Sequence, residues 1–182
     1  DGAGVTADVW STHVLPDAKR LIMNLLEIQA PMIAAVNGPA SVHAELALLC
    51  DIVLAADHAT FQDAPHYPSG LVPGDGVHVV WPMLLGLNRA RYFLMTGQEL
   101  SSKEALDLGV VNEVMPLTKL LPRAWELARK IRLRPALTTR LTRETMLMQV
   151  KRAMLDQLPY GLALEGLGAC DYWPKEFAKE KL

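Results

Sequence analysis

Short apolar runs alternate with amphipathic stretches along this chain. Met32–Val36 is apolar throughout and lies between a proline and an Asn-Gly pair, and Ile52–Ala56 repeats the pattern. Short apolar runs bounded by turn residues are typical of strands buried on both faces of a sheet. Ala44–Leu49, between the two runs, has a helical pattern. The sequence therefore predicts a β-α-β unit.

The other apolar positions predict mainly helices around this unit. Ala18–Ile28 places Leu21, Ile22, Leu25 and Leu26 on one helical face. Asp1–His13 follows neither period and is predicted to be a loop. Ser101 and Glu104 have the spacing of a capping box at a helix start. The remaining predicted elements are helices at Val77–Leu85, Arg89–Thr96, Lys103–Leu108, Pro122–Ile131, Ala136–Leu158 and Gly161–Cys170, a strand at Val110–Val114, and a loose or partner-bound tail at Lys175–Leu182.

Composition excludes several classes of function. The chain has 182 residues, of which 51% are hydrophobic and 21% charged, and this is enough to build one globular core. A net charge of -2 without a basic stripe argues against nucleic-acid binding. Cys50 and Cys170 lack the spacing of metal ligands, so a disulfide framework and a structural zinc site are both disfavoured. No metal or redox cofactor is predicted. Without a membrane-spanning run or a signal peptide, the sequence predicts a cytoplasmic protein with no membrane partner.

Candidate chemistry is concentrated in a loop rich in glycine and proline. Residues 61–76 read Phe-Gln-Asp-Ala-Pro-His-Tyr-Pro-Ser-Gly-Leu-Val-Pro-Gly-Asp-Gly and contain His66 and Asp75. A histidine titrates near neutrality, and a nearby carboxylate fixes its tautomer, so this pair predicts water activation. His43 and Glu45 add a second imidazole and carboxylate upstream. The alternatives are a loop histidine, a turn aspartate, and a helix cap or packing role for His43 and Glu45.

Several segments together resemble the crotonase superfamily of enoyl-CoA hydratases and isomerases. They are residues 31–38, 45–56, 70–74, 94–97 and 105–114, together with Phe61. The resemblance implies an α/β fold with a spiral ββα core and C-terminal helices, usually assembled as a trimer or a dimer of trimers. It also implies that the N-terminal part of the fold lies outside this chain segment. Residues 1–134 would be the C-terminal part of the spiral core, and residues 135–182 a helical trimerisation region.

Departures from the hydratase pattern indicate which branch of the superfamily the sequence resembles most. A hydratase has two glutamates; here Glu45 matches the first and His66 stands in place of the second. The glycine-rich turn before the first glutamate reads Ser-Val-His. The motif at residues 65–81 is similar to the β-diketone hydrolase branch that includes 6-oxocamphor hydrolase. That similarity implies catalytic roles for His66 oriented by Asp75, for His43 at the diketone carbonyl, and for Glu165 from a later helix. Glu45, Tyr67 and Trp81 are predicted to bind substrate; the alternative for Tyr67 and Trp81 is a place in the core or the pocket wall.

Three functions follow as alternatives. The first is a cofactor-independent hydrolase that cleaves a C–C bond of a (bi)cyclic β-diketone by a retro-Claisen reaction, with a small-molecule diketone as substrate and a homotrimer or hexamer as the assembly. The second is a hydratase or isomerase of CoA thioesters. The third is a crotonase-fold protein kept for binding or assembly. The His-Asp pair and the missing second glutamate favour the first.

Overall fold

A computed structural model describes residues 5–172 of the chain. Most of these residues are helical, and the strands are short. In chain order the elements are α1 (Ala7–Val9), a π-helical turn (Trp10–Val14), α2 (Leu15–Glu27), β1 (Ile33–Val36), α3 (Ala44–Leu48), β2 (Ile52–Ala56), β3 (Thr60–Phe61), a 3₁₀ turn (Tyr67–Ser69), α4 (Val77–Leu85), α5 (Leu87–Thr96), β4 (Leu100–Ser101), α6 (Ser102–Asp107), β5 (Glu113–Met115), α7 (Leu117–Arg132) and α8 (Ala136–Asp171).

The main sheet is parallel and has the strand order β1-β2-β5. Ile33 pairs with Ile52, and Leu54 pairs with Glu113. Parallel neighbours need a crossover connection, which α3 supplies between β1 and β2. The predicted β-α-β unit is therefore confirmed. β2 is buried from Val53 onward, whereas β1 is only half-buried because it forms an edge of the described sheet.

The core lies between the sheet and the helices. Its largest side chains are Trp81 and Phe93, whose ring centroids are 4.2 Å apart, together with Phe61 from β3. Trp81 is fully buried because α4 turns it toward α5. Trp81 therefore lies in the core, and its contact with substrate stays a prediction.

The long C-terminal helix differs from the sequence prediction. A break near Pro159 was expected, but α8 runs unbroken from Ala136 to Asp171. A proline removes one helical hydrogen bond; here α8 is held by packing against α2 and α4. Trp10 adds to this support because its indole Nε1 donates to the Leu162 carbonyl oxygen at 2.8 Å.

Smaller predictions have mixed outcomes. The capping box is confirmed, because the Ser101 backbone N–H donates to Glu104 Oε2 at 2.8 Å and the Glu104 N–H donates to Ser101 Oγ at 3.2 Å. The loop predicted at Asp1–His13 is wrong from Ala7 onward, because the chain is helical there and Trp10 is buried; residues 1–4 lie outside the described residues. The predicted tail at Lys175–Leu182 lies outside the described residues. Among the helices described, none is long and apolar enough to cross a membrane.

Candidate active site

The fold brings the four predicted catalytic side chains into one cluster. His66 Nε2 lies 3.4 Å from Asp75 Oδ2 and 3.7 Å from Glu165 Oε1. His43 Nδ1 lies 3.1 Å from the same Asp75 oxygen and 3.0 Å from Glu45 Oε1. Asp75 thus stands between two imidazoles. Three carboxyl groups and two histidines, widely separated in the sequence, share one site.

Close backbone packing makes this convergence possible. Gly74, next to Asp75, faces Gly161 on α8, one turn before Glu165. A Cβ atom added to Gly74 would lie 2.2 Å from the Gly161 carbonyl oxygen, and a Cβ on Gly161 would lie 2.5 Å from the Gly74 carbonyl oxygen. Since any larger residue would push the loop and helix apart, the two glycines let Asp75 and Glu165 reach the same histidine.

The other histidine is held by an unusual backbone conformation. His43 immediately precedes α3 and has a φ of 53°, the one positive φ at a non-glycine residue among residues 5–172. This left-handed conformation costs roughly 1–2 kcal/mol for an L-residue. It places the half-exposed imidazole beside Glu45 and Asp75. Outliers of this kind cluster at functional sites, so the conformation supports the functional interpretation of His43 over a simple packing role.

Asp63, which was not predicted from the sequence, contacts the second ring nitrogen of His66, Nδ1. His66 Nδ1 lies 2.6 Å from Asp63 Oδ1, and both residues are buried. Because a carboxylate accepts, Nδ1 carries a proton and donates it. The prediction that Asp75 orients His66 therefore needs correction. Asp63 fixes the ring and its tautomer, while Asp75 lies at Nε2, on the side that faces the cluster.

The surrounding carboxylates favour protonated imidazoles. Burial alone would lower the pKa of His66, but hydrogen bonds to Asp63, Asp75 and Glu165 outweigh it and raise that pKa well above its ordinary value. Hydrogen bonds to Asp75 and Glu45 raise the pKa of His43 to about 10. For Asp75, burial acts to raise the pKa, yet the two histidines hold it below its usual range.

The two glutamates behave differently from Asp75. Burial raises the pKa of both Glu45 and Glu165, so each holds a proton more readily than an exposed glutamate. Glu45 Oε2, Asp75 Oδ1 and Glu165 Oε2 are buried without a hydrogen-bond partner among the described residues. The cluster thus combines an ionised carboxylate, two readily protonated imidazoles and two carboxyl groups able to donate a proton.

Tyr67 lies beside this cluster in the chain but is less constrained. It begins the 3₁₀ turn directly after His66, and its side chain is half-exposed. Its role in substrate binding stays a prediction, as does that of the buried Glu45.

Comparison with known proteins identifies the class to which this fold and site belong. The family model described as enoyl-CoA hydratase/isomerase matches residues 9–165. The chain therefore belongs to the enoyl-CoA hydratase/isomerase family, the crotonase superfamily, as predicted.

Curated relatives act on CoA esters, as their names state. The crotonyl-CoA hydratase of Syntrophomonas wolfei is 35% identical over 139 residues, covering 73% of this chain and 53% of that protein. The carnitinyl-CoA dehydratase of Salmonella arizonae is 40% identical over 111 residues, covering 60% of this chain and 42% of that protein. The chain spans about half the length of the curated relatives it matches.

The similar solved structures include a protein whose named activity does not involve CoA. A β-diketone hydrolase from the cyanobacterium Anabaena sp. PCC 7120, bound to (S)-3-oxocyclohexyl acetic acid, is 47% identical with a TM-score of 0.87, covering 89% of this chain and 64% of that one. An enoyl-CoA hydratase/isomerase from Mycobacterium paratuberculosis is 30% identical with a TM-score of 0.84, covering 92% of this chain and 66% of that one.

Proposed function

We propose that this chain carries the acid–base groups of a cofactor-independent hydrolase that cleaves a C–C bond of a cyclic β-diketone. The observation that carries the proposal is the arrangement of His66, with Asp63 at Nδ1 and Asp75 at Nε2, at the position where a hydratase has its second glutamate. A carboxylate–imidazole pair suits the activation of water. The likeness to a β-diketone hydrolase at 47% identity supports the same activity.

The reaction is a retro-Claisen hydrolysis. Water attacks one carbonyl carbon of the diketone and loses a proton to a base. The tetrahedral adduct then collapses to a carboxylic acid, and the electrons of the breaking C–C bond pass to an enolate of the second carbonyl. Protonation of the enolate carbon completes a keto acid. The ligand of the Anabaena enzyme has one ketone and one carboxyl group, the two groups that this cleavage leaves.

His66 supplies the base in this proposal. Asp63 keeps a proton on Nδ1, so Nε2 of the neutral ring has a free lone pair on the side that faces the cluster. This nitrogen accepts the proton of the attacking water. Asp75 stays ionised and stabilises the imidazolium that forms. Because the raised pKa of His66 keeps the resting ring protonated, the neutral base form grows as pH rises. General-base help of this kind contributes about 10²–10⁴-fold to rate.

Two further groups suit the remaining proton transfers. His43 has a pKa of about 10, so it is protonated at neutral pH and can donate to the carbonyl oxygen where negative charge develops. Burial raises the pKa of Glu165, which makes its carboxyl group a proton source for the enolate carbon. Neither step requires a redox cofactor.

Hydration of an enoyl-CoA is the second candidate, and Glu45 is the residue that favours it. Glu45 matches the first glutamate of the hydratase pattern and is almost fully buried. The curated relatives are named for reactions of CoA esters. However, Glu45 Oε1 is engaged by His43 at 3.0 Å, and His66 replaces the second glutamate.

The two candidates are separated by assaying the full-length protein against a bicyclic 1,3-diketone without CoA and against crotonyl-CoA. We expect diketone cleavage to a keto acid, with His66→Ala slowing turnover by about 10²–10⁴-fold. His58→Ala is the matched control, because His58 is an exposed histidine that also contacts an aspartate, Asp57. Hydration of crotonyl-CoA without diketone cleavage, or full diketone activity in His66→Ala, would contradict the proposal.

A further inference from the structure

Three buried ligand-type atoms of the cluster are spaced as if around a metal ion. They are His66 Nε2, Asp75 Oδ2 and Glu165 Oε1; the two carboxylate oxygens lie 3.4 and 3.7 Å from the nitrogen, and one ligand atom from each residue lies within 4.8 Å of the others. In a tetrahedral zinc site with bonds of about 2.0–2.1 Å, neighbouring ligand atoms are about 3.3–3.4 Å apart. The two distances from His66 Nε2 are therefore close to the spacing of a zinc site.

The contact behind His66 has the form found in metal sites. A histidine that binds a metal usually donates its second ring N–H to a carboxylate, which fixes the ring for the ion. Here His66 Nδ1 lies 2.6 Å from the buried Asp63 Oδ1. This leaves Nε2, the atom that faces Asp75 and Glu165, as the coordinating nitrogen.

Unsatisfied oxygens and charge balance point in the same direction. Asp75 Oδ1 and Glu165 Oε2, the second oxygens of the two carboxyl groups, are buried without a hydrogen-bond partner among the residues described, which is unfavourable for carboxylates. A cation bound through both oxygens of either group would partner them. Asp63 and Glu45 complete a set of four carboxyl groups around two imidazoles. Carboxyl groups thus outnumber imidazoles in the cluster, which favours a divalent cation over an anion as an added ligand.

We propose that His66, Asp75 and Glu165 bind one Zn²⁺ ion. A mixed imidazole and carboxylate set suits zinc, and three protein ligands leave the fourth position open. No metal was predicted from the sequence, because only the cysteine spacing was considered; the approach of α8 to the loop brings His66, Asp75 and Glu165 together. Zinc binding replaces the proton on Nε2 and occupies the lone pair that the base needs.

A competing triad shares Asp75 with this site. His43 Nδ1, Glu45 and Asp75 also lie within ligand distance of one another. We favour the His66 site because all three of its residues are buried and its histidine has a carboxylate at the second nitrogen, whereas His43 is half-exposed. The two triads predict opposite results for the two histidine variants.

The test is calorimetric titration of chelator-treated full-length protein with zinc chloride, without substrate. We expect one zinc per chain, bound at least tenfold more weakly by His66→Ala and by Glu165→Gln. Asp63→Asn should weaken binding by about 10–100-fold through the loss of its contact with the coordinating histidine. His58→Ala should bind as the wild type does. Thermal melts of each variant identify those that fail to fold, and Glu165→Gln keeps the test decisive if His66→Ala does not fold.

Two outcomes would overturn the zinc proposal: no saturable binding in the wild type up to millimolar zinc, or binding that survives His66→Ala and is lost in His43→Ala. Inhibition of diketone hydrolysis by zinc is expected in addition, and this consequence rests on the proposed function. If the chelator-treated protein binds zinc but the same protein, before zinc is added, cleaves no diketone, only the proposed function is contradicted. If the chelator-treated protein cleaves diketones but binds no zinc, only the zinc site is contradicted.

Discussion

Replacing Asp63 with asparagine tests the contact between Asp63 and the catalytic His66 most sharply. The change preserves the shape of the side chain but removes the negative charge of the carboxylate, whose Oδ1 accepts the His66 Nδ1–H at 2.6 Å. A hydrogen bond to a charged group contributes about 1.5–3 kcal/mol, and one pKa unit corresponds to 1.36 kcal/mol. Loss of the charge should therefore lower the pKa of His66 by about 1–2.

The sign of the pH effect follows from the direction of this change. Asp63 stabilises the protonated ring, so in the wild type the base form appears only as pH rises well above the ordinary histidine value. In Asp63→Asn the rising limb of kcat/KM should move to lower pH. Its plateau should fall by about 10²–10⁴-fold, because the neutral ring loses tautomer control and the imidazolium loses a stabilising charge.

The assay is the pH–rate profile of diketone hydrolysis by the full-length protein in chelator-treated buffer. Asp57→Asn is the matched control, since Asp57 contacts His58 on the surface at 3.3 Å and should leave the profile unchanged. A lower plateau with an unmoved limb would show that Asp63 has only a structural role. An unchanged plateau and limb would refute the assignment of Asp63 altogether.

Three further predictions concern packing and assembly. Arg143→Leu should destabilise the fold by about 3–5 kcal/mol in denaturant unfolding, because the largely buried Asp51 carboxylate loses its cation and keeps only the Met32 N–H as a donor. Arg123→Leu, at a part-exposed pair, should cost at most about 1 kcal/mol; equal losses would contradict this. Gly74→Ala should abolish most diketone hydrolysis by separating the loop from α8, whereas Gly38→Ala, which meets no atom within 4 Å, should not, and equal activities would refute the steric argument. Sedimentation of the full-length protein should give a trimer or hexamer, since α8 leaves several large apolar side chains exposed, and a stable monomer would contradict the assembly.

The elements that could be predicted from sequence are those with a strong local signal. α4 has the predicted bounds, β2 coincides with the apolar run at Ile52–Ala56, and the capping box starts α6 where expected. Pro159 misled the helix prediction because its local cost is offset by tertiary contacts of α8, which no local pattern reveals. The burial of Trp81 could not be predicted for a similar reason, since only the helical phase of α4 relative to the core decides which way an aromatic residue points.

The site was predicted in its members but not in its connections. A histidine and an aspartate in one loop indicate acid–base chemistry, and the fold does bring them together. Asp63 was given no role, although its spacing of three residues from His66 was the available signal. Which carboxylate lies at which ring nitrogen depends on the path of the loop, and this path is set partly by the contact between Gly74 and Gly161 far along the chain.

The most direct test of the account is hydrolysis of a bicyclic 1,3-diketone in ¹⁸O-labelled water by the full-length protein, with neither CoA nor added metal. Water attack at one carbonyl predicts a single keto acid with one labelled oxygen in its carboxyl group, formed by the wild type and strongly reduced in His66→Ala. Recovery of uncleaved diketone, together with efficient hydration of crotonyl-CoA by the same preparation, would contradict it.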